Sequence, residues 1–275
     1  AYNGEAIQFP KPVGKVPFIK GVYNAKFKNT PQDWSPLTND QIAQIKEDAS
    51  SASRLPQQET GIRFSCALPY ELYADGAISD DTSTFNIAFS AGNSVFGNAA
   101  GSPFTVYAPG VYKNEKGNNR SYAVVAGDTI KDAWAIQDFE NEQYQLCVYG
   151  PNGFFREFKG GKNDPPLSIQ FNYEKIKTSP QQLTGNIMVT IKRVNSDKDF
   201  VVNIADKSYK KPQRSIVLNN ANPVATVICD VSDSFHWYDI AVKVNGYDGF
   251  EKRYAGHVET GQPGKTDPYM GRVIV

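Results

Sequence analysis

The chain has 275 residues, with 29 Lys plus Arg set against 29 Asp plus Glu, so its formal net charge is zero. That balance leaves no basic footprint for nucleic acid and no general attraction to an anionic membrane surface. The 15 Tyr and 16 Phe against only 2 Met suit β-rich cores, and no apolar run is long enough to span a bilayer.

Residues 1–36 place Pro10, Pro12, Pro17, Pro31 and Pro36 among isolated aromatics. Proline at that density can continue neither a helix nor a central strand, so an extended arm is expected. No signal-peptide pattern opens the chain, and Ala1 reads as a mature or cut end. Thr38-Asn-Asp-Gln41 is a capping box, with Ile42 and Ile45 following on one face. It predicts a short helix to about Ser50, stopped by the serine-rich stretch before Pro56.

From Ile62 onward the pattern is that of strands. Ile62–Cys66 and Phe85–Phe89 alternate apolar and polar residues, Gly92–Gly101 is a loop with Val95-Phe96 at its tip, and Phe104–Tyr107 and Tyr122–Val125 flank a polar turn at Asn114–Asn119. Trp134–Ile136 precedes a hairpin. Gly160–Pro166 is the strongest candidate boundary, and Leu167–Tyr173, Asn186–Lys192, Phe200–Ile204, Ser215–Leu218 and Ala225–Cys229 lead to a second hairpin.

The two hairpins are the same phrase. Tyr144-x-Leu-x-Val148 followed by Gly153-Phe154 and ending at Phe158-x-Gly160 matches Tyr238-x-Ile-x-Val242 followed by Gly249-Phe250 and ending at Tyr254-x-Gly256. Phe104 and Phe200 keep the same offset upstream. A repeat this long is a duplicated domain rather than a solenoid unit. The expectation is all-β: two tandem immunoglobulin-like antiparallel sandwiches, 59–163 and 164–275, each of about seven strands with its own core, behind an arm and short helix at 1–58.

Chemistry is sparse. His236 and His257 both lie in the second repeat, no Gly-x-Ser-x-Gly elbow is present, and His257-Val-Glu259 is the only hint of a ligand pair, so no catalytic residue, metal or cofactor is assigned. Glu59, Glu71, Asp75 and Glu259 could supply a carboxylate pair, but the separation that tests this is not written in a sequence. Asp75-Gly76 and Asp80-Asp81-Thr82 lack the order of a calcium loop. Cys66, Cys147 and Cys229 read as buried thiols, with a Cys66–Cys147 bridge open if the chain is exported. Arg253, Tyr254, His257 and Glu259 form the one dense cluster of cation, aromatic and acid. With the aromatics Phe96, Phe154 and Phe155, they are the candidates for a headgroup or interface site. A strand edge with alternating side chains is the plainer reading of the cluster.

These residues also carry a resemblance. Gln57–Gly76, Ser102–Pro109, Tyr149–Phe158, Trp237–Asp239, Phe250–Gly256, Val258–Gly261 and Asp267-Pro268 resemble the C-terminal region of bacterial phosphocholine-preferring phospholipases C. Relatives tend to carry Arg where this chain has His257. The resemblance implies a pair of related repeats and a parent that is secreted or periplasmic. It also implies a separate N-terminal catalytic domain as partner, with no catalytic residue in this chain. The accessory role would be packing on that domain or positioning at a phospholipid surface. A stand-alone pair of ligand- or carbohydrate-binding sandwiches is the alternative.

Overall fold

A computed structural model describes residues 35–48 and 61–270. The predicted arm falls almost wholly outside the described residues, as do Gln57 and Glu59. The chain divides into two compact units, 1–57 and 58–275.

In the first unit, α1 (Asn39–Glu47) begins as the capping box requires. Gln41 N donates to Thr38 Oγ1 at 3.3 Å, and Thr38 N donates back to Gln41 Oε1 at 3.0 Å. The helix ends at Glu47, three residues short of the expected stop, and buries none of its residues.

The named strands of the second unit all pair antiparallel. A two-residue strand β1 (Phe64–Ser65) pairs with β16 (Gly264–Lys265), so the two ends of the unit are stitched together. The alternation read at Ile62–Cys66 yields only that short strand. Between the ends lie seven strands twice over. The first set is β2 (Leu72–Ile78), β3 (Thr84–Ala91), β4 (Ser102–Tyr112), β5 (Glu115–Val124), β6 (Thr129–Ala135), β7 (Gln143–Tyr149) and β8 (Phe155–Gly161). The second is β9 (Leu167–Ile176), β10 (Ser179–Arg193), β11 (Phe200–Asp206), β12 (Arg214–Leu218), β13 (Val224–Cys229), β14 (Trp237–Val244) and β15 (Glu251–His257). The β4–β5 turn is tighter than the expected 114–119 loop. Lys113 and Asn114 take it alone, both at positive φ, and pairing resumes at Glu115.

The sheets decide how the repeats relate. β2-β3-β6 forms one three-stranded sheet and β9-β10-β13 another, while the remaining strands form a single sheet of eight, ordered β12-β11-β14-β15-β8-β7-β4-β5. Its two middle strands, β8 and β15, are the same strand of the repeat, paired antiparallel so that Arg253 lies opposite Glu157. Those two residues stand 96 apart, the offset of the repeat, so a pseudo-twofold axis passes between them. Among the described residues the two repeats share their interior rather than keeping one each. Buried residues from Leu72 to Val258 form one contiguous cluster.

Ring contacts show the layers. Phe85 of β3 meets Tyr144 and Phe158 of the large sheet at 4.3 and 5.5 Å, and Phe171 of β9 stacks on Tyr254 at 4.3 Å with 2° between the planes. Each small sheet therefore packs on one half of the large one. The alternation that marked the strands in sequence is the alternation of burial, as in β10, where Ile187, Val189 and Ile191 are fully buried.

Candidate functional site

The predicted cluster does not form one site. Arg253 projects from the outer face of the large sheet, where its Nε and Nη2 donate to the two oxygens of Asp239, each at 2.7 Å. A bidentate pair of this kind satisfies the guanidinium and leaves little of it for a ligand. Phe155 lies beside it, with the Arg253 guanidinium 5.6 Å from its ring and Tyr149 packed at 5.2 Å. Tyr254 points the other way into the core, fully buried, and donates to Asp75 Oδ1 at 2.9 Å.

His257 and Glu259 do meet, at a buried corner where four segments converge. His257 Nδ1 lies 2.9 Å from Glu259 Oε1 and its Nε2 lies 3.1 Å from the Phe235 carbonyl. Glu259 also accepts from Asn152 Nδ2 at 2.5 Å and Leu68 N at 3.2 Å. The corner thus ties the first repeat's hairpin turn and the β1–β2 segment to the end of β15. Phe235 and His236, both at positive φ, form the turn on its far side, and Trp237 packs on His257 at 4.8 Å. Phe154, expected at a headgroup or interface site, is core: it is 5 % exposed and edge-on to Phe104. Phe96 is half-buried beside Gly261 rather than standing free.

Glu71 and Asp81 are also engaged, each in a different place. Glu71 is buried and anchors the 92–101 loop, accepting from Ser94 Oγ at 2.7 Å, Val95 N at 2.9 Å and Tyr73 OH at 3.0 Å. Asp81 closes the β2–β3 turn, and hydrogen bonds from Ser79 and Ser83 hold its carboxyl down at about 2. Among the described residues no group of three or more His, Cys, Asp or Glu is placed to hold a metal. All three cysteines are free. Cys147 is buried, and desolvation together with the neighbouring Glu157 raises its thiol to about 11. Cys66 is exposed rather than buried, and Cys229 lies between.

The densest charged group lies instead inside the pseudo-twofold axis. Arg156 and Lys252 occupy the same position of the repeat, and both are buried. Each crosses the axis. Arg156 donates to the carbonyls of Phe155 and Ala255 at 2.8 and 2.9 Å and to Tyr238 OH at 3.1 Å, with its guanidinium 3.9 Å from the Phe154 ring centroid. Lys252 reaches the opposite half and donates to the Gly76 carbonyl at 2.7 Å. Burial pulls the Lys252 ammonium below its ordinary range against the opposing charges of Asp75 and Asp164. Burial likewise raises both carboxyls, in Asp75 against Lys252 and the Tyr254 hydroxyl and in Asp164 against the Tyr144 hydroxyl.

Lys252, Asp75, Tyr144 and Asp164 line a groove of about 1220 Å³ that also borders β2 and the start of β9. The groove lies beside the facing edges of the two small sheets, which are bridged by Tyr173 OH donating to the Leu72 carbonyl at 2.9 Å. The sequence pattern singled out Asp75 alone and did not reveal the group. The signal was present: Arg156 and Lys252 sit between inward aromatics, two residues after Phe154 and Phe250 and two before Phe158 and Tyr254.

The structure therefore defines an all-β module built from one seven-strand unit used twice and fused through a shared sheet. Residues 64–161, from β1 to the end of β8, match the family described as bacterial phospholipase C, C-terminal domain. The chain is similar to the non-hemolytic phospholipase C of Burkholderia pseudomallei (strain K96243), with 32% identity over 220 residues, covering 80% of this chain and 29% of the relative. It is similar as well to two proteins of Pseudomonas aeruginosa strain PAO1. One is a non-hemolytic phospholipase C, 28% identical over 84% of this chain and 32% of the relative. The other is a hemolytic phospholipase C, 29% identical over 78% and 30%. The chain thus resembles the C-terminal region of bacterial phospholipases C, and it spans less than a third of the length of these relatives.

Proposed function

We propose that this chain is the non-catalytic accessory region of an exported bacterial phospholipase C, and that it works by packing on the remainder of the parent polypeptide. The observation that carries the reading is an uncovered apolar edge where the second unit begins: Phe64 is 89% exposed and Ile62 is 42% exposed. A lone surface apolar residue is ordinary, but an almost bare phenylalanine on a paired strand suits a surface that another part of the protein covers. The engagement of Arg253, His257, Glu259 and Glu71 by protein partners agrees with this, because those groups hold segments together rather than await a substrate.

The test is an assay of the purified chain on a chromogenic phosphocholine ester, alongside cosedimentation with phosphatidylcholine vesicles. No turnover above buffer and no sedimentation beyond control vesicles are expected. Turnover that a substitution in this chain abolishes would overturn the reading. Vesicle binding lost in F64S would replace packing by lipid-surface positioning.

A further inference from the structure

The joint between the halves has the form of a subunit interface. It is an antiparallel pairing of equivalent strands about a twofold axis, and each half sends one buried cation into the other. We propose that this interface also fits the matching half of a second copy of the chain, giving a closed dimer with exchanged halves, and that Asp164 is the latch that keeps the pairing within one chain.

The connection between the halves carries the argument. Only residues 162–166 join β8 to β9, and they end in Pro165-Pro166. Exchange would leave the strand pairing, the Arg156 contacts and the Lys252 bond to Gly76 unchanged and would alter only that link. Two chains that each contribute one half to each pair satisfy both interfaces, which gives a closed dimer as the smallest exchanged form. Proline holds the residue before it near extended geometry, which suits an open link at least as well as a turn.

The link folds back around the Asp164 side chain, with Lys162 paired to Glu142 at 2.5 Å and the Pro166 carbonyl accepting from Val194 N at 2.9 Å. Asp164 accepts from Gly161 N at 2.8 Å and from the buried Tyr144 hydroxyl, and Asp164 N donates to the Gly161 carbonyl at 3.1 Å. Gly160 beneath it leaves no room for a Cβ against that carboxylate. Removing the carboxylate takes away the local preference for the closed link and leaves the strand pairing and the Arg156 contacts that both forms share, while Y144F leaves the charge facing Lys252 in place as well.

The test uses the full chain, refolded from denaturant at rising protein concentration and sized by light scattering on a gel-filtration column. Wild type is expected to give a dimer fraction that grows with concentration, D164A a fraction several-fold larger, and Y144F an intermediate one. In the K159C/E251C pair, oxidised after refolding, the cross-strand disulfide is expected to link two chains in the dimer and to close within one chain in the monomer. Two results would overturn the proposal. One is D164A and Y144F staying monomeric across the range while melting cooperatively, with Y144F deciding alone if D164A does not fold. The other is a dimer in which the 159–251 crosslink remains within single chains.

Discussion

Arg156 and Lys252 occupy one position in two copies of one unit, yet they are held in opposite ways. The guanidinium has two carbonyls, a tyrosine hydroxyl and an aromatic face, so its burial is matched by hydrogen bonds fixed in place by the strands. The ammonium has one carbonyl and the charges of two carboxyls that burial itself pushes toward the protonated form. The same backbone site therefore supports a well-satisfied cation in one direction across the axis and a poorly satisfied one in the other. A twofold fold does not impose twofold chemistry. The planar fork of arginine matches several fixed acceptors, whereas lysine presents a compact charge that tolerates fewer.

That contrast is most sharply tested by removing both charges with the same side chain. R156M is expected to destabilise by about 3 kcal/mol or more, because the Ala255 and Phe155 carbonyls and the Tyr238 hydroxyl lose their donor inside the core. K252M should cost less than R156M, because only the Gly76 carbonyl loses a donor and the carboxyls left behind are already pushed by burial toward the protonated form. Denaturant melts of the two variants read the difference directly. Equal losses would mean that the two cations are equivalent after all.

The next contrast lies on the outer face. Asp239 and Gln145 are matching residues of the repeat. Asp239 binds Arg253 through two bonds of 2.7 Å, while Gln145 donates a single bond of 2.7 Å to Glu157. Replacing an ionised acceptor should matter more than trimming a neutral donor. D239N is expected to lose about 1.5–3 kcal/mol and Q145A about 0.5–1.5 kcal/mol, again by denaturant melts.

A smaller effect concerns pH. The Asp75 carboxyl is raised above its ordinary 3.8, first by burial. A raised carboxyl means that the folded chain holds the proton more tightly than the unfolded one, so stability falls as pH rises from about 3.8 through the raised value. Glu157 acts oppositely. Burial would raise it, but bonds from Lys159 and Gln145 and the charge of Arg253 bring it below its ordinary range, so its contribution is lost on acidification. Melts from pH 3 upward should therefore show D75N losing less stability than wild type as pH rises. An identical slope in both would show that Asp75 does not titrate in that window.

Strand positions and the repeat were legible in the sequence because both are local. Period-two alternation follows from the geometry of a pleated strand, so Phe85–Phe89, Leu167–Tyr173 and Ala225–Cys229 announced themselves, as the capping box at Thr38 announced α1. The matching hairpins likewise lie within about twenty residues each. What the sequence left open was which residues meet across distance. The local signals that marked Phe154, Phe155 and Phe96 as interface candidates carried no information about Phe104 packing on Phe154 or Gly261 lying beside Phe96.

By itself, then, the sequence determined an all-β chain, a unit used twice, the strands of that unit, and the likeness to phospholipase C C-terminal regions. Tertiary structure alone decided that the two copies share one sheet rather than standing apart, that Arg156 and Lys252 cross the axis, and that Arg253 and His257, on one face of β15, are taken by different partners. The physical reason is that alternation specifies which side of a strand is buried, whereas the identity of the neighbouring strand depends on edges brought together from opposite ends of the chain.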